Sequence, residues 1–212
     1  MRRFSIGLTG GIGSGKTQVA ELLRAWGAAI VDTDVISHAL TAPGGMAIEP
    51  LRRAFGSEII AADGALDRGV MRARVFADPA VRRRLEAILH PMITAVTQEE
   101  AQRAQGDYLV YVVPLLVESG RWRERVDRVC VVDCDATTQV ARVQARSGLT
   151  PEAIARIMSA QASRDARLAV ADDVVFNGAG TSLDDLAQRL WLLHAEWRRQ
   201  AARRQSLMCP GT

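Results

Sequence analysis

The chain has 212 residues, and 48% of them are hydrophobic, which is enough for one compact globular unit with a full core. Its formal net charge of +3 suits anionic substrates but is too small to demand nucleic acid as a partner. No apolar run of about 18 residues occurs, so we expect no transmembrane helix, and three irregularly spaced cysteines favour neither a disulfide framework nor a zinc site.

Apolar runs of strand length alternate with helical periodicity along the chain. The strand candidates are 4–9, 28–31, 108–113, 128–132 and 173–176. The helical stretches are 16–26, 35–40, 46–55, 70–76, 80–105, 137–147, 151–164 and 183–204. This order predicts an α/β fold with a parallel sheet and crossover helices. The helical segment at roughly 34–105 exceeds a minimal crossover and is expected to cap a second substrate.

The octet GGIGSGKT at 10–17 lies between the first strand and the first helix and fits the phosphate-binding pattern G-x-x-x-x-G-K-[ST]. It holds the only lysine of the chain, Lys16, beside 26 arginines elsewhere. The ammonium of Lys16 is expected to reach the β- and γ-phosphates, and the Thr17 hydroxyl to take Mg²⁺. The alternative is a glycine-rich turn before an ordinary helix. The predicted nucleotide-binding residues are Gly11, Gly13, Ser14, Gly15, Lys16, Thr17 and Gln18.

Two carboxylates, Asp32 and Asp34, follow the second strand candidate. Ligands of open α/β sheets bind beyond the carboxyl ends of the strands, so these residues are expected near the phosphate loop. We favour Asp34 as the general base and Mg²⁺ organiser, with Asp32 orienting the loop. The alternative is that either residue only caps the next helix.

Arginines supply the charge clamp that phosphoryl transfer needs. Arg142 and Arg146 share one face of a helix, and Arg164 and Arg167 close the following helical segment. A lid carrying them could fold over the phosphates. In a chain so rich in arginine, the alternative is that each pair is a solvated surface.

Four further features have simple structural accounts. Asp133 ends a strand that resembles a Walker B strand, but it lacks a following acid. His90-Pro91 falls in an apolar helical stretch, where a helix break and a partly buried histidine are expected. The basic end of the last helix, at 198–204, is interpreted as a solvated face. The tail at 205–212 is predicted to be disordered.

The sequence as a whole resembles the dephospho-CoA kinase family over about 4–204. The similarity lies in LTGGIGSGK at 8–16, VDTD at 31–34, LDR at 66–68, VF at 75–76, LEAILHP at 85–91 and VPLLVE at 113–118. It continues in QASRDAR at 161–167 and ADD at 171–173, followed by Asn177. Many kinases share the phosphate loop, whereas LHP and PLLVE together with it are specific.

The resemblance implies a P-loop kinase fold with a five-stranded parallel sheet flanked by helices, a helical substrate region at about 34–105 and a lid at about 137–170. It implies ATP-dependent phosphorylation of the 3′-hydroxyl of dephospho-CoA ribose, with Mg²⁺. Asp34 would be the base, Arg142 would belong to the lid, and Asn177 would lie near adenine. The remaining residues implied on the substrate side are His90, Pro114, Leu115, Glu118 and Arg164.

We therefore predict a cytoplasmic kinase, a monomer or weak homo-oligomer, that acts on small molecules without a nucleic-acid or membrane partner. A kinase for another small molecule, such as a nucleoside monophosphate or shikimate, would share the loop and lid but lack the LHP and PLLVE segments. A regulatory GTPase would need a second lysine for its guanine motif. A nucleic-acid-stimulated ATPase would need an acid pair after the Walker B strand.

Overall fold

The computed structural model describes residues 2–208. Within this range the chain forms one five-stranded sheet in the order β2-β3-β1-β4-β5, and the registers of β1 with β3, β1 with β4 and β4 with β5 are parallel. The predicted five-stranded parallel α/β sheet is confirmed. The strands are β1 (Ser5–Thr9), β2 (Ala29–Asp32), β3 (Leu109–Val112), β4 (Arg128–Asp133) and β5 (Asp173–Phe176).

Helices connect the strands of this described part of the chain. They are α1 (Lys16–Ala25), α2 (Thr33–Leu40), α3 (Ile48–Phe55), α4 (Arg68–Ala77), α5 (Pro79–Arg103), α6 (Leu116–Ser119), α7 (Ala136–Ser147), α8 (Pro151–Ser159), α9 (Arg164–Ala169) and α10 (Leu183–Met208). A short 3₁₀ helix spans Ser57–Ile59. Within residues 2–208 no helix has the length and apolarity needed to cross a membrane.

The described part of the chain divides into two compact units, and the first contains residues 2–31 and 104–208. All residues of β1 are buried, as expected for a central strand of a parallel sheet. On one face, Ile6 and Leu8 of β1 pack with Leu23 of α1 and Trp197 of α10. On the other face a second cluster includes Leu116 of α6. The core therefore holds the carboxyl end of β1, and with it the start of the phosphate loop, in a fixed place.

The second unit, residues 32–103, is helical, and its bounds are close to those predicted for the helical insertion. In it α5 contacts α2, α3 and α4. Asp67 caps α4 by accepting hydrogen bonds from the backbone N–H groups of Gly69 and Val70, both at 2.9 Å. Arg68 donates to the Thr41 hydroxyl at 2.8 Å. The LDR segment of the sequence is thus a helix start tied to the end of α2.

Three local expectations are wrong. The helix α5 continues through Pro91, and His90 is exposed, although proline removes one N–H donor from the helix. The predicted helix at 151–164 is two helices, because the Ser163 hydroxyl accepts a hydrogen bond from Ala166 N at 3.1 Å and caps a new one. The last helix extends to Met208, so 205–208 are helical, while 209–212 lie outside the described residues.

Candidate active site

The phosphate loop forms a tight turn between β1 and α1. Gly13 and Gly15 have φ angles of 74° and 90°, in the left-handed region that favours glycine. Ser14 N donates to Gly11 O at 3.1 Å, and α1 begins at Lys16. Among the described residues no side chain caps the N-terminus of α1. The first N–H groups of a helix form an anion-binding site, so this geometry suits a phosphate.

Three side-chain amides hold the backbone of this loop. Gln139 of α7 donates to Ile12 O at 2.7 Å, and Ile12 N donates to the amide oxygen of Gln161 at 3.0 Å. Asn177, just after β5, donates to Ser14 O at 2.8 Å. Asn177 was predicted as a nucleotide-side residue, and Gln161 begins the QASRDAR segment. Neither glutamine was predicted to bind the loop, because no local pattern links them to a loop more than a hundred residues away.

Arg142 of α7 lies next to Asn177. Its guanidinium donates to Asn177 O at 2.8 Å and to Gly178 O at 3.3 Å. The sequence-predicted residues Arg142 and Asn177 are thus brought together, and Asn177 links them to the loop at Ser14. Arg146, on the same helix, is exposed and has no contact of this kind among the described residues.

Asp133, at the carboxyl end of β4, binds an arginine. The guanidinium of Arg164 donates to its two carboxylate oxygens at 2.8 and 2.6 Å. This arginine holds the pKa of Asp133 below its usual value, although burial opposes the shift. A two-bond fork of this kind is the geometry in which arginine recognises carboxylates and phosphates. Asp133, considered above for a Walker B role, thus positions Arg164 beside the loop.

A second arginine of this segment, Arg167, is buried. Its Nη1 donates to Ala162 O at 2.5 Å, and its guanidinium also approaches Gly11. A cavity of about 210 Å³ is lined by both loop-binding glutamines and by Arg164 and Arg167. Two guanidinium groups therefore line one cavity together with the two glutamines that bind Ile12, which is a suitable environment for an anion.

The segment after β3 also reaches this region. Thr9 donates from its hydroxyl to Pro114 O at 3.3 Å, so Pro114 lies beside the end of β1. Leu115 is half exposed. Glu118 of α6 accepts a hydrogen bond from Ala162 N at 2.7 Å, next to Gln161. Glu118, expected on the substrate side, therefore holds the connector between α8 and α9.

The remaining predicted residues belong to the second unit. Asp32 is the cap of α2, since its Oδ1 accepts from Asp34 N at 2.8 Å and from Val35 N at 3.3 Å. Asp34 lies in the first turn of α2 and does not cap it. The two carboxylates therefore differ: Asp32 caps α2, whereas Asp34 lies in its first turn.

A comparison with known families matches residues 4–184 to the family model described as dephospho-CoA kinase. The chain belongs to the dephospho-CoA kinase family. A dephospho-CoA kinase of Bordetella parapertussis is 62% identical over 194 residues, which cover 92% of this chain and 91% of that protein. One of Burkholderia pseudomallei is 58% identical over 199 residues, covering 94% of this chain and 98% of the relative. The family and the kinase class predicted from the sequence are confirmed.

Solved structures agree on the fold. A Thermus thermophilus protein designated TT1252 superimposes with a TM-score of 0.81 at 35% identity, covering 92% of this chain and 98% of that one. The dephospho-CoA kinase of Campylobacter jejuni has a TM-score of 0.66 at 22% identity, and a shikimate kinase of Acinetobacter baumannii has 0.54 at 17%. Both matches cover 92% of this chain. They cover 98% of the Campylobacter jejuni protein and 94% of the Acinetobacter baumannii protein. These last two show the P-loop kinase fold alone.

Proposed function

We propose that this member of the family transfers the γ-phosphoryl group of ATP to the 3′-hydroxyl of dephospho-CoA, giving coenzyme A and ADP. The observation that carries the proposal is family membership over residues 4–184 together with a phosphate loop whose glycines and lysine are intact. Phosphoryl transfer depends on positioning and charge stabilisation more than on covalent chemistry by the protein. The roles of the residues follow from that requirement.

The donor side is the phosphate loop and the start of α1. Backbone N–H groups from Gly13 to Thr17 bind the β- and γ-phosphates, and Lys16 adds a point charge that follows the γ-phosphoryl group into the transition state. Gly11, Ser14 and Gln18 complete the nucleotide contacts. The buried Ser14 hydroxyl supports this role, because it has no hydrogen-bond partner among the described residues and a bound phosphate oxygen would supply one.

Cationic side chains around the loop stabilise charge on the transferred group. Arg142, placed by its bonds to Asn177, acts from the α7 side, and Asn177 holds the nucleotide side of the loop. Arg164 acts from α9, where its pairing with Asp133 fixes its planar guanidinium. We assign α7 to α9, about 137–170, as the lid that carries these charges.

The acceptor side includes the helical unit at 32–103 and the start of α6. Asp34, in the first turn of α2 directly after β2, accepts the proton of the attacking 3′-hydroxyl. His90 and the segment containing Pro114, Leu115 and Glu118 bind dephospho-CoA.

Magnesium is the metal that fits the donors present. Thr17 offers a hydroxyl in the first turn of α1 and Asp34 a carboxylate in the first turn of α2. Hard oxygen donors of this kind, used together with substrate phosphates, are what Mg²⁺ prefers. Residues 2–208 contain no group of three or more His, Cys, Asp or Glu side chains placed to hold a metal. When bound, the ion would neutralise charge that develops on the phosphates.

The enzyme is proposed to work in the cytoplasm, where ATP is available, as a monomer or weak homo-oligomer without nucleic-acid or membrane partners. Its buried Cys130 and Cys134 are free thiols, which suits a reducing compartment. Light scattering during size-exclusion chromatography tests the oligomeric state.

One assay decides the acceptor. The purified protein is incubated with ATP, Mg²⁺ and one of three acceptors: dephospho-CoA, AMP or shikimate. The products are identified by mass spectrometry. We expect one added phosphoryl group on dephospho-CoA only. Lys16→Ala, prepared in parallel, controls for contaminating kinases. Rapid phosphorylation of AMP or shikimate with dephospho-CoA inert would refute the proposal.

A further inference from the structure

One residue of the phosphate loop, Ile12, has both of its backbone polar groups bound by side chains from distant parts of the chain. Its carbonyl accepts from Gln139 at 2.7 Å and its N–H donates to Gln161 at 3.0 Å. Two glutamine side chains therefore hold one residue, one through its carbonyl and the other through its N–H. Because each bond joins the loop to a separate element, each restricts the conformations that the loop can adopt.

The first glutamine is firmly placed. Gln139 lies on α7 and is only 4% exposed, so its amide has little freedom to turn away from Ile12. The backbone of α7 also approaches the loop, since a Cβ on Gly13 would lie 2.8 Å from Gln139 O. The loop and α7 therefore form one packed contact in which the Gln139 amide satisfies the Ile12 carbonyl.

The second glutamine lies in a connector, residues 160–163 between α8 and α9. The connector is tied down next to Gln161: Ala162 N donates to Glu118 at 2.7 Å, and Ala162 O accepts from Arg167 at 2.5 Å. The same connector leads into α9, which begins with Arg164. The hydrogen bond from Ile12 to Gln161 thus joins the phosphate loop to the segment that carries two arginines.

We propose that Gln139 and Gln161 are positioning residues for the phosphate loop, and that Gln161 also couples nucleotide binding to the order of the connector. Neither amide need touch the nucleotide. They raise the population of the loop conformation whose N–H groups face the phosphates, and a ligand that needs this conformation binds more weakly when its population falls. The inference rests on the proposed binding of ATP by this loop.

Coupling of this kind is reciprocal. If an ordered connector favours nucleotide binding through Gln161, then bound nucleotide must favour an ordered connector to the same extent. Hydrogen exchange of the backbone amides at 160–163 reports this order, because local opening exposes them to solvent.

The first test replaces each glutamine by methionine, which is similar in shape but cannot make these hydrogen bonds. The dissociation constant of a non-hydrolysable ATP analogue should rise about fivefold in Gln139→Met and in Gln161→Met, the effect of one neutral hydrogen bond, and at least tenfold in the double variant. The Michaelis constant for dephospho-CoA should stay within twofold. Gln144→Met, an exposed glutamine of the same α7, is the matched control.

Replacing each glutamine by glutamate separates the loss of a hydrogen bond from a nonspecific effect of the substitution. Gln161→Glu keeps an acceptor for Ile12 N, whereas Gln139→Glu places a second acceptor against Ile12 O. Both add one negative charge at the same loop residue. We therefore expect nucleotide binding to be weaker in Gln139→Glu than in Gln161→Glu by at least threefold, although the added charge is the same.

Hydrogen exchange tests the coupling. In the wild type and in Gln139→Met, the ATP analogue should slow exchange at 160–163 by at least threefold, and in Gln161→Met this slowing should disappear. A double Met variant whose nucleotide affinity stays within threefold of Gln144→Met overturns the positioning role, whatever its stability. If the ATP analogue slows hydrogen exchange at 160–163 equally in the wild type and in Gln161→Met, the proposed coupling is overturned. If the wild type itself fails to bind the analogue, the proposed function fails instead.

Discussion

Gly11→Ala tests the packing of the phosphate loop against Gln139. A Cβ on Gly11 would lie 2.3 Å from the amide nitrogen of Gln139 and 3.0 Å from Nη2 of Arg167. To reach the shortest ordinary contact of 3.4 Å, the amide nitrogen must retreat by roughly 1.1 Å. Gln139 is buried and bonded to Ile12 O at 2.7 Å, so the retreat breaks that bond.

The cost has two parts. Losing one neutral hydrogen bond costs about 1 kcal/mol, and forcing an extra methyl group into a packed site costs about 1–3 kcal/mol. We therefore expect Gly11→Ala to lower the free energy of unfolding by about 2–4 kcal/mol, measured by chemical denaturation. Where the empty loop relaxes to avoid the clash, the same cost appears as weaker binding of the ATP analogue.

A double variant identifies the clash as the cause. Gln139→Ala removes the side chain that the new methyl group meets, so in that background Gly11→Ala should cost less than about 1 kcal/mol, with only the end of Arg167 left to adjust. The reasoning is refuted if Gly11→Ala costs as much in the Gln139→Ala background as in the wild type, or if it changes neither stability nor nucleotide affinity.

Three further predictions concern the chemistry and the pH dependence. Lys16→Arg should lose nearly as much turnover as Lys16→Ala in the coupled kinase assay, because a guanidinium fork cannot take the place of the ammonium; near-normal turnover would contradict this. Asp34→Asn should lower kcat by about 10²–10⁴-fold with little change in substrate affinity, and the variant keeps Asp32 as the cap of α2. An intact kcat would exclude Asp34 as the base. His194 is buried beside Tyr108, and burial lowers its pKa, so the unfolded chain binds the proton more readily. The free energy of unfolding should therefore fall as the pH drops below about 6.5, and denaturation at several pH values should give a weaker fall in His194→Gln.

The sequence alone determined the features that depend on neighbouring residues. The phosphate loop, its flanking strand and helix, and the alternation of strands and helices are local patterns, and all are present in the structure. The parallel sheet followed from that alternation, because short strands separated by helices can pair in parallel through crossovers. Family membership followed from several short segments in the expected order.

Tertiary structure decided which side chains meet. Nothing in the local sequence indicates that Gln139 and Gln161 reach Ile12, since they lie 127 and 149 positions away. The pairing of Asp133 with Arg164, and the choice of Asp32 as the cap of α2, were open for the same reason. A sequence pattern specifies the hydrogen-bonding capacity of each side chain. Only the packed chain selects which of the many possible partners lies within reach.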